Sequence, residues 1–221
     1  MKKVGIIILA YNGEQFLPKC LESVIKTEYP REDIIFFLVD NASDDASREI
    51  LERFKREHAQ ENIEIIFNKK NLGFAAGNNV GFTHALEKGV DYVVTLNQDV
   101  EEVDPFWIQK LVSTLEENPR LAVVQARVMQ YPNKTFVNSA GNQFHFLGFC
   151  FCEGNGKPFG AKNENVYEIM YASGCALMTR APLIQKYGGF QEETFMYHDD
   201  IELCLRFRLL GYTIAINTDA Q

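Results

Sequence analysis

The 221-residue sequence has little positive charge, few cysteines and no long apolar run. It carries 22 Lys and Arg against 30 Asp and Glu, a formal net charge of −8 at pH 7. This deficit of basic residues argues against nucleic-acid binding, which needs a broad positive surface. No stretch approaches the roughly 18 apolar residues of a membrane-spanning helix. A small phosphate-bearing ligand, held by a metal and by backbone amides, stays compatible with the acidic balance.

The five cysteines form no recognisable framework. Their number is odd, no CxxC pair occurs, and Cys150 and Cys152 are separated by a single residue. This spacing suits neither a zinc knuckle nor a redox motif, so we expect free thiols in a reducing compartment. The apolar run 4–10 near the amino terminus is too short for a cleavable signal peptide. We therefore expect a cytoplasmic protein, with peripheral contact at the inner face of a membrane left open.

Hydrophobic patterning in the first hundred residues predicts an α/β fold. Apolar, β-branched runs alternate with helical periodicity four times, and such runs are typical of strands buried on both faces. This alternation predicts a doubly wound, Rossmann-like, mostly parallel sheet with helices on both faces. The predicted strands cover 4–10, 34–39, 63–67 and 92–96.

The second half of the sequence is less regular. Residues 131–165 are rich in Asn, Gly and Phe, with a strand-like piece at 144–151. We interpret the chain as one domain over 1–221, with a ligand-binding half at 1–100 and an irregular half at 101–221. The predicted elements of the second half are a helix at 107–115, strands at 121–128 and 176–179, helices from 182 and at about 200–210, and a strand at 212–216.

Polar residues follow three of the predicted parallel strands. The strand ends carry Tyr11 and Asn12, then Asp40, then Asn97 and Asp99. Carboxyl ends of parallel strands share one edge of a sheet, where ligands of doubly wound folds bind. Each residue alone could terminate a strand or lie in a solvated turn, and Ser43 and Asp44 are candidate helix caps. A carboxylate such as Asp99 suits a hard divalent cation that also holds a diphosphate.

Two further segments carry candidate functional residues. The segment 71–79 is a loop entering a helix, whose small residues and helix amino end suit an anion, although a tight turn explains it as well. The segment 197–206 places Asp199 and Asp200 before a helix. Asp199 could be the helix cap and Glu202 its capping-box partner, but Asp200 is then left over. A carboxylate beside other carboxylates suits a general base, and His198 is either a ligand or a surface residue.

These segments together resemble a known family. The sequence contains, in order, IILAYN at 7–12, VDNASDD at 39–45, NLGFAAGNN at 71–79, LNQD at 96–99, and GGF at 188–190 followed by YHDDIELCLR at 197–206. In this order the motifs resemble glycosyltransferase family 2, inverting enzymes with a GT-A fold, and more narrowly its rhamnosyltransferase-like branch. The resemblance covers nearly the whole chain.

The resemblance implies an enzyme that moves a sugar from a nucleoside-diphosphate sugar to a hydroxyl of a glycan or lipid-linked acceptor. Tyr11 and Asp40 would lie near base and ribose, and Asp99 would grip Mn²⁺ or Mg²⁺ on the diphosphate. Asp200 matches the catalytic base, and Asp199 beside it is a second candidate catalytic residue. The branch suggests a deoxythymidine-diphosphate deoxysugar such as rhamnose. The implied donor-site residues are Ala10, Tyr11, Asn12, Glu14, Asp40, Asn71, Gly73, Phe74, Asn78 and Asn97.

The sequence departs from the family pattern at three places. Asn97 replaces the first Asp of the metal motif, and in the acidic motif Asp199 and Glu202 stand where many relatives have Glu and Asp. The sequence ends at Gln221, soon after the last predicted strand, so we expect a shortened carboxy-terminal half. Two other functions therefore stay open: a non-catalytic or truncated nucleotide-sugar-binding module, and a sugar-nucleotide nucleotidyltransferase. The latter is disfavoured because 10–15 lacks a Gly-rich basic loop.

Overall fold

The computed structural model describes residues 1–160 and 164–221. Its six α-helices are α1 (Leu17–Val24), α2 (Ser47–Glu57), α3 (Gly73–Glu87), α4 (Trp107–Glu117), α5 (Ala181–Tyr187) and α6 (Asp199–Leu209). Its strands are β1 (Val4–Ala10), β2 (Ile34–Asp40), β3 (Ile63–Phe67), β4 (Tyr92–Asn97), β5 (Leu121–Ala126), β6 (Val128–Met129), β7 (Val137–Ser139), β8 (Asn142–Phe144), β9 (Cys150–Cys152), β10 (Val166–Glu168), β11 (Ala176–Arg180) and β12 (Thr213–Asn217).

The main sheet has eight strands in the order β10-β12-β5-β11-β4-β1-β2-β3. The pairs β1–β2, β1–β4, β2–β3 and β5–β12 are parallel. Strand β11 lies antiparallel between β4 and β5, and β10 lies antiparallel on β12. The predicted α/β class with a mostly parallel sheet is therefore confirmed. The sheet also continues across the expected boundary at residue 100, because β11 from the second half pairs with β4 from the first.

Helices cover both faces of the sheet, as the continuous apolar strands predict. On one face, Leu21 of α1, Leu51 of α2 and Trp107 of α4 pack with Ile6 and Ile8 of β1. On the other face, α3, α5 and α6 pack against the alternate strand positions, and the residues that carry this contact are Phe82, Ile184, Leu203 and Phe207. Both faces of β1 are thus buried, which explains its uninterrupted apolar sequence.

Helix α3 packs unusually close to β1. A Cβ at Gly77 would lie 2.7 Å from Cδ1 of Leu9, and one at Gly81 would lie 2.5 Å from Cγ2 of Ile7. Any larger residue at these positions would push the helix away from the sheet. The small residues of the 71–79 motif, and Gly81 in the next turn of α3, therefore allow close helix–sheet packing. The sequence predicts a close approach to a ligand in addition.

The second half of the chain is built from short hairpins, as its irregular pattern predicts. The predicted strand at 144–151 is wrong in detail, because β8 and β9 form a hairpin and residues 145–149 form its tip. Phe146 at this tip is 88% exposed. Residues 161–163 of the segment predicted to be irregular lie outside the described residues. Within the described ranges, no helix has the length and apolar character needed to cross a bilayer.

The predicted caps of two helices are also corrected by the structure. Helix α2 begins at Ser47 after Ala46, so neither Ser43 nor Asp44 is its cap. Helix α6 begins at Asp199 itself, and the preceding residue is His198 in a left-handed conformation with φ of 65°. The five cysteines, all within the described residues, are free thiols as expected.

Candidate functional site

Three of the predicted site residues end parallel strands at one edge of the sheet. Ala10, Asp40 and Asn97 are the last residues of β1, β2 and β4. Ala10 pairs in register with Asp40, and Leu9 pairs with Asn97, so the three strand ends are level. Because adjacent strands lie about 4.8 Å apart, the loops that follow them form one continuous rim.

Asp40 is fully buried and is held by two donors. Arg48 Nη2 donates to Asp40 Oδ2 at 3.0 Å, and the Ser43 backbone N–H donates to Oδ1 at 3.3 Å. The Arg48 guanidinium also stacks over the Phe67 ring at 4.5 Å. Burial of a charged group is tolerated when it is paired, which Arg48 achieves here. Sequence reasoning found Asp40 but missed Arg48, which follows the strand end by eight residues.

The loops after β1 and β2 are joined by reciprocal hydrogen bonds. Asn12 Oδ1 accepts from the Asp44 amide at 3.0 Å, and Glu14 Oε2 accepts from the Ala46 amide at 3.1 Å. In return, Ser43 Oγ accepts from the Asn12 amide at 3.1 Å. Asn12 and Glu14 thus hold the shape of this rim. A direct donor contact from either side chain stays a prediction.

Gln98 fixes the exit of β1. Its Oε1 accepts from the Tyr11 amide at 3.0 Å, and its Nε2 donates to the Tyr11 carbonyl at 3.0 Å. These two bonds hold the Tyr11 backbone as a neighbouring strand would, and Tyr11 as a whole is 42% exposed. The Tyr11 ring is therefore available to stack on a flat ligand. Gln98 was not among the predicted site residues.

Asn41 organises the loop that precedes α3. Its buried side chain donates through Nδ2 to Asn71 Oδ1 at 2.9 Å and to the Gly73 carbonyl at 3.1 Å. Its Oδ1 accepts from Asn68 Nδ2 at 3.0 Å and from the Leu72 amide at 3.1 Å. Asn41 is 1% exposed, so it shapes the loop without reaching a ligand. The sequence showed it only as the neighbour of Asp40.

The amino end of α3 is covered by the segment 190–198. The Phe195 carbonyl accepts from the Phe74 amide at 2.7 Å and from the Ala75 amide at 3.2 Å. Gly73 has φ of +79°, and a Cβ there would lie 2.4 Å from the Phe195 oxygen. These two helix amides, expected to be free for an anion, are therefore bonded to a carbonyl in this structure.

Asn78 and Asn79 also have roles within the fold. Asn78 is 1% exposed and donates to the Phe74 carbonyl at 2.9 Å, inside α3. Asn79 holds the segment 190–198 through two bonds to the Phe190 backbone, at 2.8 and 2.9 Å. The predicted donor contact of Asn78 stays a prediction, although its side chain faces the protein interior.

The two carboxylates at the start of α6 have different surroundings. Asp200 Oδ2 accepts from the Gly174 amide at 2.9 Å, and Oδ1 accepts from the Ile201 amide at 2.8 Å. Burial raises the pKa of Asp200 above its usual range, while these amides oppose the shift. Asp199 is 3% exposed, and burial, together with the charge of Asp200, raises its pKa to about 6. Both carboxyls therefore bind a proton more readily than an exposed Asp does, mainly because they are buried.

The turn 173–175 connects Asp200 to the end of β4. Gly174 donates its amide to Asp200, and the Cys175 carbonyl accepts from the Asn97 amide at 2.9 Å. The hydroxyl of Thr95 donates to the Gly174 carbonyl at 2.9 Å. One three-residue turn thus contacts both the predicted base and the predicted metal strand. Sequence reasoning missed this turn, which carries no charged residue.

Asp99 is exposed on the wall of a cavity of about 770 Å³ beside β4 and β5. Asn97, Ser173 and Cys175 also line this cavity, whereas Tyr11, Asp40, Asn71 and Asp200 do not. Among residues 1–160 and 164–221, no three His, Cys, Asp or Glu side chains cluster closely enough to enclose a metal. One carboxylate and one amide oxygen fit a Mg²⁺ or Mn²⁺ ion that takes its other ligands from substrate oxygens and water.

Known proteins are similar to this chain in sequence or in structure. The hexosyltransferase Agl10 of Haloferax volcanii, described as acting in low-salt glycan biosynthesis, is 25% identical over 93% of the chain and 61% of its own length. A Pyrobaculum calidifontis mannosyltransferase, PcManGT, solved with GDP-Man and Mn²⁺, superposes with a TM-score of 0.70 at 16% identity, over 97% of the chain and 56% of its own. A TarS fragment from S. aureus, solved with UDP, gives a TM-score of 0.69 at 19% identity, over 98% of the chain and 58% of its own.

The chain covers only part of the length of these relatives. The chain spans 35%, 36% and 61% of the length of three curated relatives. The structural matches establish a shared GT-A fold, as the sequence predicts. The model of "Glycosyl transferase family 2" matches residues 5–188, which include the strand ends, the α3 motif and the turn before β11. The chain belongs to glycosyl transferase family 2.

Proposed function

We propose that this chain transfers a sugar from a nucleoside-diphosphate sugar to an acceptor hydroxyl with inversion at the anomeric carbon. One observation carries the proposal: the turn 173–175 holds the Asp200 carboxylate beside the end of β4, where Asn97 and Asp99 lie. A single displacement requires a base close to a group that binds the diphosphate. Here the candidates for both lie at one edge of the sheet. Asp200 would act on the acceptor, and the β4 end would hold the leaving group.

In this mechanism Asp200 is the general base. Each Asp200 oxygen accepts one backbone amide, and a carboxylate has further lone pairs that can accept the acceptor O–H. The base takes that proton as the acceptor oxygen forms its bond to the anomeric carbon. The bond from that carbon to the phosphate oxygen breaks, and its electron pair leaves with the nucleoside diphosphate. Burial raises the pKa of Asp200, which makes it a stronger base for this step.

A divalent cation fits the proposal as a second component. Asp99 would hold Mn²⁺ or Mg²⁺, with the Asn97 amide oxygen beside it and the donor diphosphate supplying further oxygens. When bound, such an ion acts as a Lewis acid that stabilises negative charge on the departing diphosphate. Because Asn97 is neutral, the protein contributes one carboxylate rather than two, and we expect weak metal binding without the nucleotide.

The substrates are proposed as classes. PcManGT is described with GDP-Man and Mn²⁺ and TarS with UDP, which supports a nucleoside-diphosphate sugar as donor for this chain. A deoxythymidine-diphosphate deoxysugar such as rhamnose is our first candidate, and uridine-diphosphate sugars are the second. We propose a glycan or lipid-linked acceptor, with residues 1–100 holding the donor and 101–221 the acceptor and base. A cytoplasmic location, with peripheral contact to the inner membrane face, is part of this proposal.

A donor panel tests the proposed function. The chain is incubated with GDP-, UDP- and dTDP-sugars, with Mn²⁺ or with EDTA, and thermal shift and released products are measured. We expect donors with one particular nucleobase to stabilise the protein in a metal-dependent manner and to release nucleoside diphosphate. Release of pyrophosphate would indicate a nucleotidyltransferase instead. Binding with neither transfer nor hydrolysis would indicate a non-catalytic module.

Replacing Asp99 by Ala should remove the metal-dependent part of nucleotide binding. We expect the affinity gained from Mn²⁺ to fall at least about tenfold, or about 1.4 kcal/mol, because the one carboxylate proposed as a metal ligand is lost. Isothermal titration calorimetry with the selected nucleoside diphosphate, with and without Mn²⁺, measures this difference. Glu102→Gln is the matched control, since Glu102 is an exposed carboxylate that lines the same cavity. An unchanged Mn²⁺-dependent gain in Asp99→Ala would exclude Asp99 as a ligand.

A further inference from the structure

A buried polar network lies behind the turn that holds Asp200. Its centre is Gln125 of β5, which is 0% exposed within an otherwise apolar strand. Gln125 Nε2 donates to Ser139 Oγ at 2.8 Å, Ser139 Oγ donates to Asn142 Oδ1 at 2.9 Å, and Asn142 Nδ2 donates back to Gln125 Oε1 at 3.4 Å. Ser139 and Asn142 are also buried. Burying three polar side chains is costly unless their partners are fixed, so the network has one defined geometry.

The network reaches Asp200 through two consecutive backbone amides. The Ser173 amide donates to Gln125 Oε1 at 2.7 Å, and the next amide, Gly174, donates to Asp200 Oδ2 at 2.9 Å. Gln125 therefore fixes the peptide immediately before the one that holds the carboxylate. Glycine has wide conformational freedom, so the direction of the Gly174 amide depends on the anchors on either side of it. Thr95 provides one anchor, at the Gly174 carbonyl.

We propose that Gln125 is a positioning residue, which orients the Asp200 carboxylate through the Ser173–Gly174 turn. This inference rests on the proposed function, in which Asp200 is the base. An apolar residue could fill the space of Gln125 in β5, but it could not accept the Ser173 amide. Through Ser139 and Asn142 the same side chain also contacts β7 and β8, so Gln125 connects the second-half hairpins to the base.

The groups around Asp200 determine how its pKa responds when the Gly174 contact is disturbed. The groups that interact electrostatically with it are Asp199 and His198 beside it, Cys150 and Cys152 of β9, Tyr171 before the turn, and Cys204 within α6. Burial raises the pKa of the four groups outside the cluster 198–200, so they remain neutral at pH 7. The Gly174 amide is thus a main source of stabilisation for the charged carboxylate. Losing its alignment should raise the pKa of Asp200.

The experiment compares Gln125→Met with Thr179→Val. Methionine matches the length of glutamine but accepts no comparable hydrogen bond. Thr179 of β11 is equally buried, and its hydroxyl donates to the Ala122 carbonyl at 3.0 Å, away from the turn. Each variant is labelled with ¹³C-aspartate, and the Asp200 carboxyl shift is followed against pH. We expect the midpoint to rise by at least about half a pH unit in Gln125→Met and to stay unchanged in Thr179→Val.

Kinetics in two backgrounds separates positioning from folding. Donor turnover at pH 7 should fall about tenfold in Gln125→Met with KM for the donor unchanged, and the Asp200→Asn background should show no further loss. If Gln125→Met does not fold, Gln125→Asn replaces it, because its amide oxygen is withdrawn by one methylene. The midpoint should then rise and donor turnover should fall in the same way. Equal losses in both backgrounds, or an unmoved midpoint, would refute the role of Gln125 while leaving the base intact. If Asp200→Asn alone keeps more than half the rate, the base assignment fails, and the role of Gln125 with it.

Discussion

Replacing Asp200 by Asn lowers the rate of sugar transfer by about 10²–10⁴ and leaves donor affinity within about twofold. Asparagine has nearly the same shape, and its Oδ1 can still accept a backbone amide at the start of α6. It cannot take a proton from an acceptor hydroxyl at neutral pH. The loss therefore falls on the chemical step, and KM for the donor should change little.

The measurement is a rate of nucleoside-diphosphate release in the presence of acceptor, together with calorimetry for the donor nucleotide. Glu202→Gln is the matched control, because Glu202 lies in the same turn of α6 and pairs with Arg206 at 2.7 Å. Glutamine keeps acceptor and donor atoms for that contact, so activity should stay within about twofold. A value for Asp200→Asn above half the wild-type rate on the true acceptor would rule out Asp200 as the base.

Much of the fold could be predicted because buried strands and helices have recognisable patterns of apolar residues. Strands β1, β2 and β4 are covered on both faces, so they appear as predominantly apolar runs. The direction of β11 could not be predicted in the same way. A short buried strand such as 176–180 has the same sequence pattern whether it pairs parallel or antiparallel, and only the sheet shows that β11 lies antiparallel on β4. The tip at 145–149 was mistaken for strand because exposed phenylalanines have high strand propensity.

The site residues that could be predicted from the sequence are mainly charged residues next to the ends of predicted strands and helices. Asp40, Asp99 and Asp200 stand out as a set, because each alone could belong to a turn or a helix end, but several carboxylates in one family motif order are harder to explain in that way. The neutral amides Asn41, Gln98 and Gln125 did not stand out. Each acts by bonding backbone groups that are distant in sequence, as Gln98 does with Tyr11 across 87 positions. No local pattern reveals such a contact, because its partner is set by the folded topology.

The packing of the segment 190–198 over the amino end of α3 also could not be predicted from the sequence. The motif at 71–79 predicts a helix amino end open to an anion, but it cannot show that Phe195 occupies the first amides. Phe195, Tyr197 and His198 all have positive φ, between 56° and 72°. Non-glycine residues with such angles are uncommon and carry a conformational cost. They adopt these angles in the segment that packs against Gly73 and enters α6.

Asp199→Asn should stabilise the protein at neutral pH by about 3 kcal/mol and should have no effect on stability near pH 3.5. The carboxyl is 3% exposed, and burial with the neighbouring Asp200 charge raises its pKa from 3.8 to about 6. Between these two values the folded state keeps a proton that the unfolded chain has lost. Stability of the wild type therefore falls as pH rises from about 4 to about 6.5. Asparagine stays neutral, so the variant does not share this loss.

Urea unfolding of both proteins across pH 3.5–8 measures the difference, which a shift of about two pKa units converts to about 3 kcal/mol. Asp44→Asn is the control for removing one negative charge from an acidic chain, since Asp44 is exposed on the β2–α2 loop. That control should shift stability by less than about 0.5 kcal/mol at any pH. Parallel stability curves for wild type and Asp199→Asn would show that the buried carboxyl titrates alike in both states. A variant more stable yet slower in transfer would show that the fold accepts a cost at Asp199 to keep two carboxyls together.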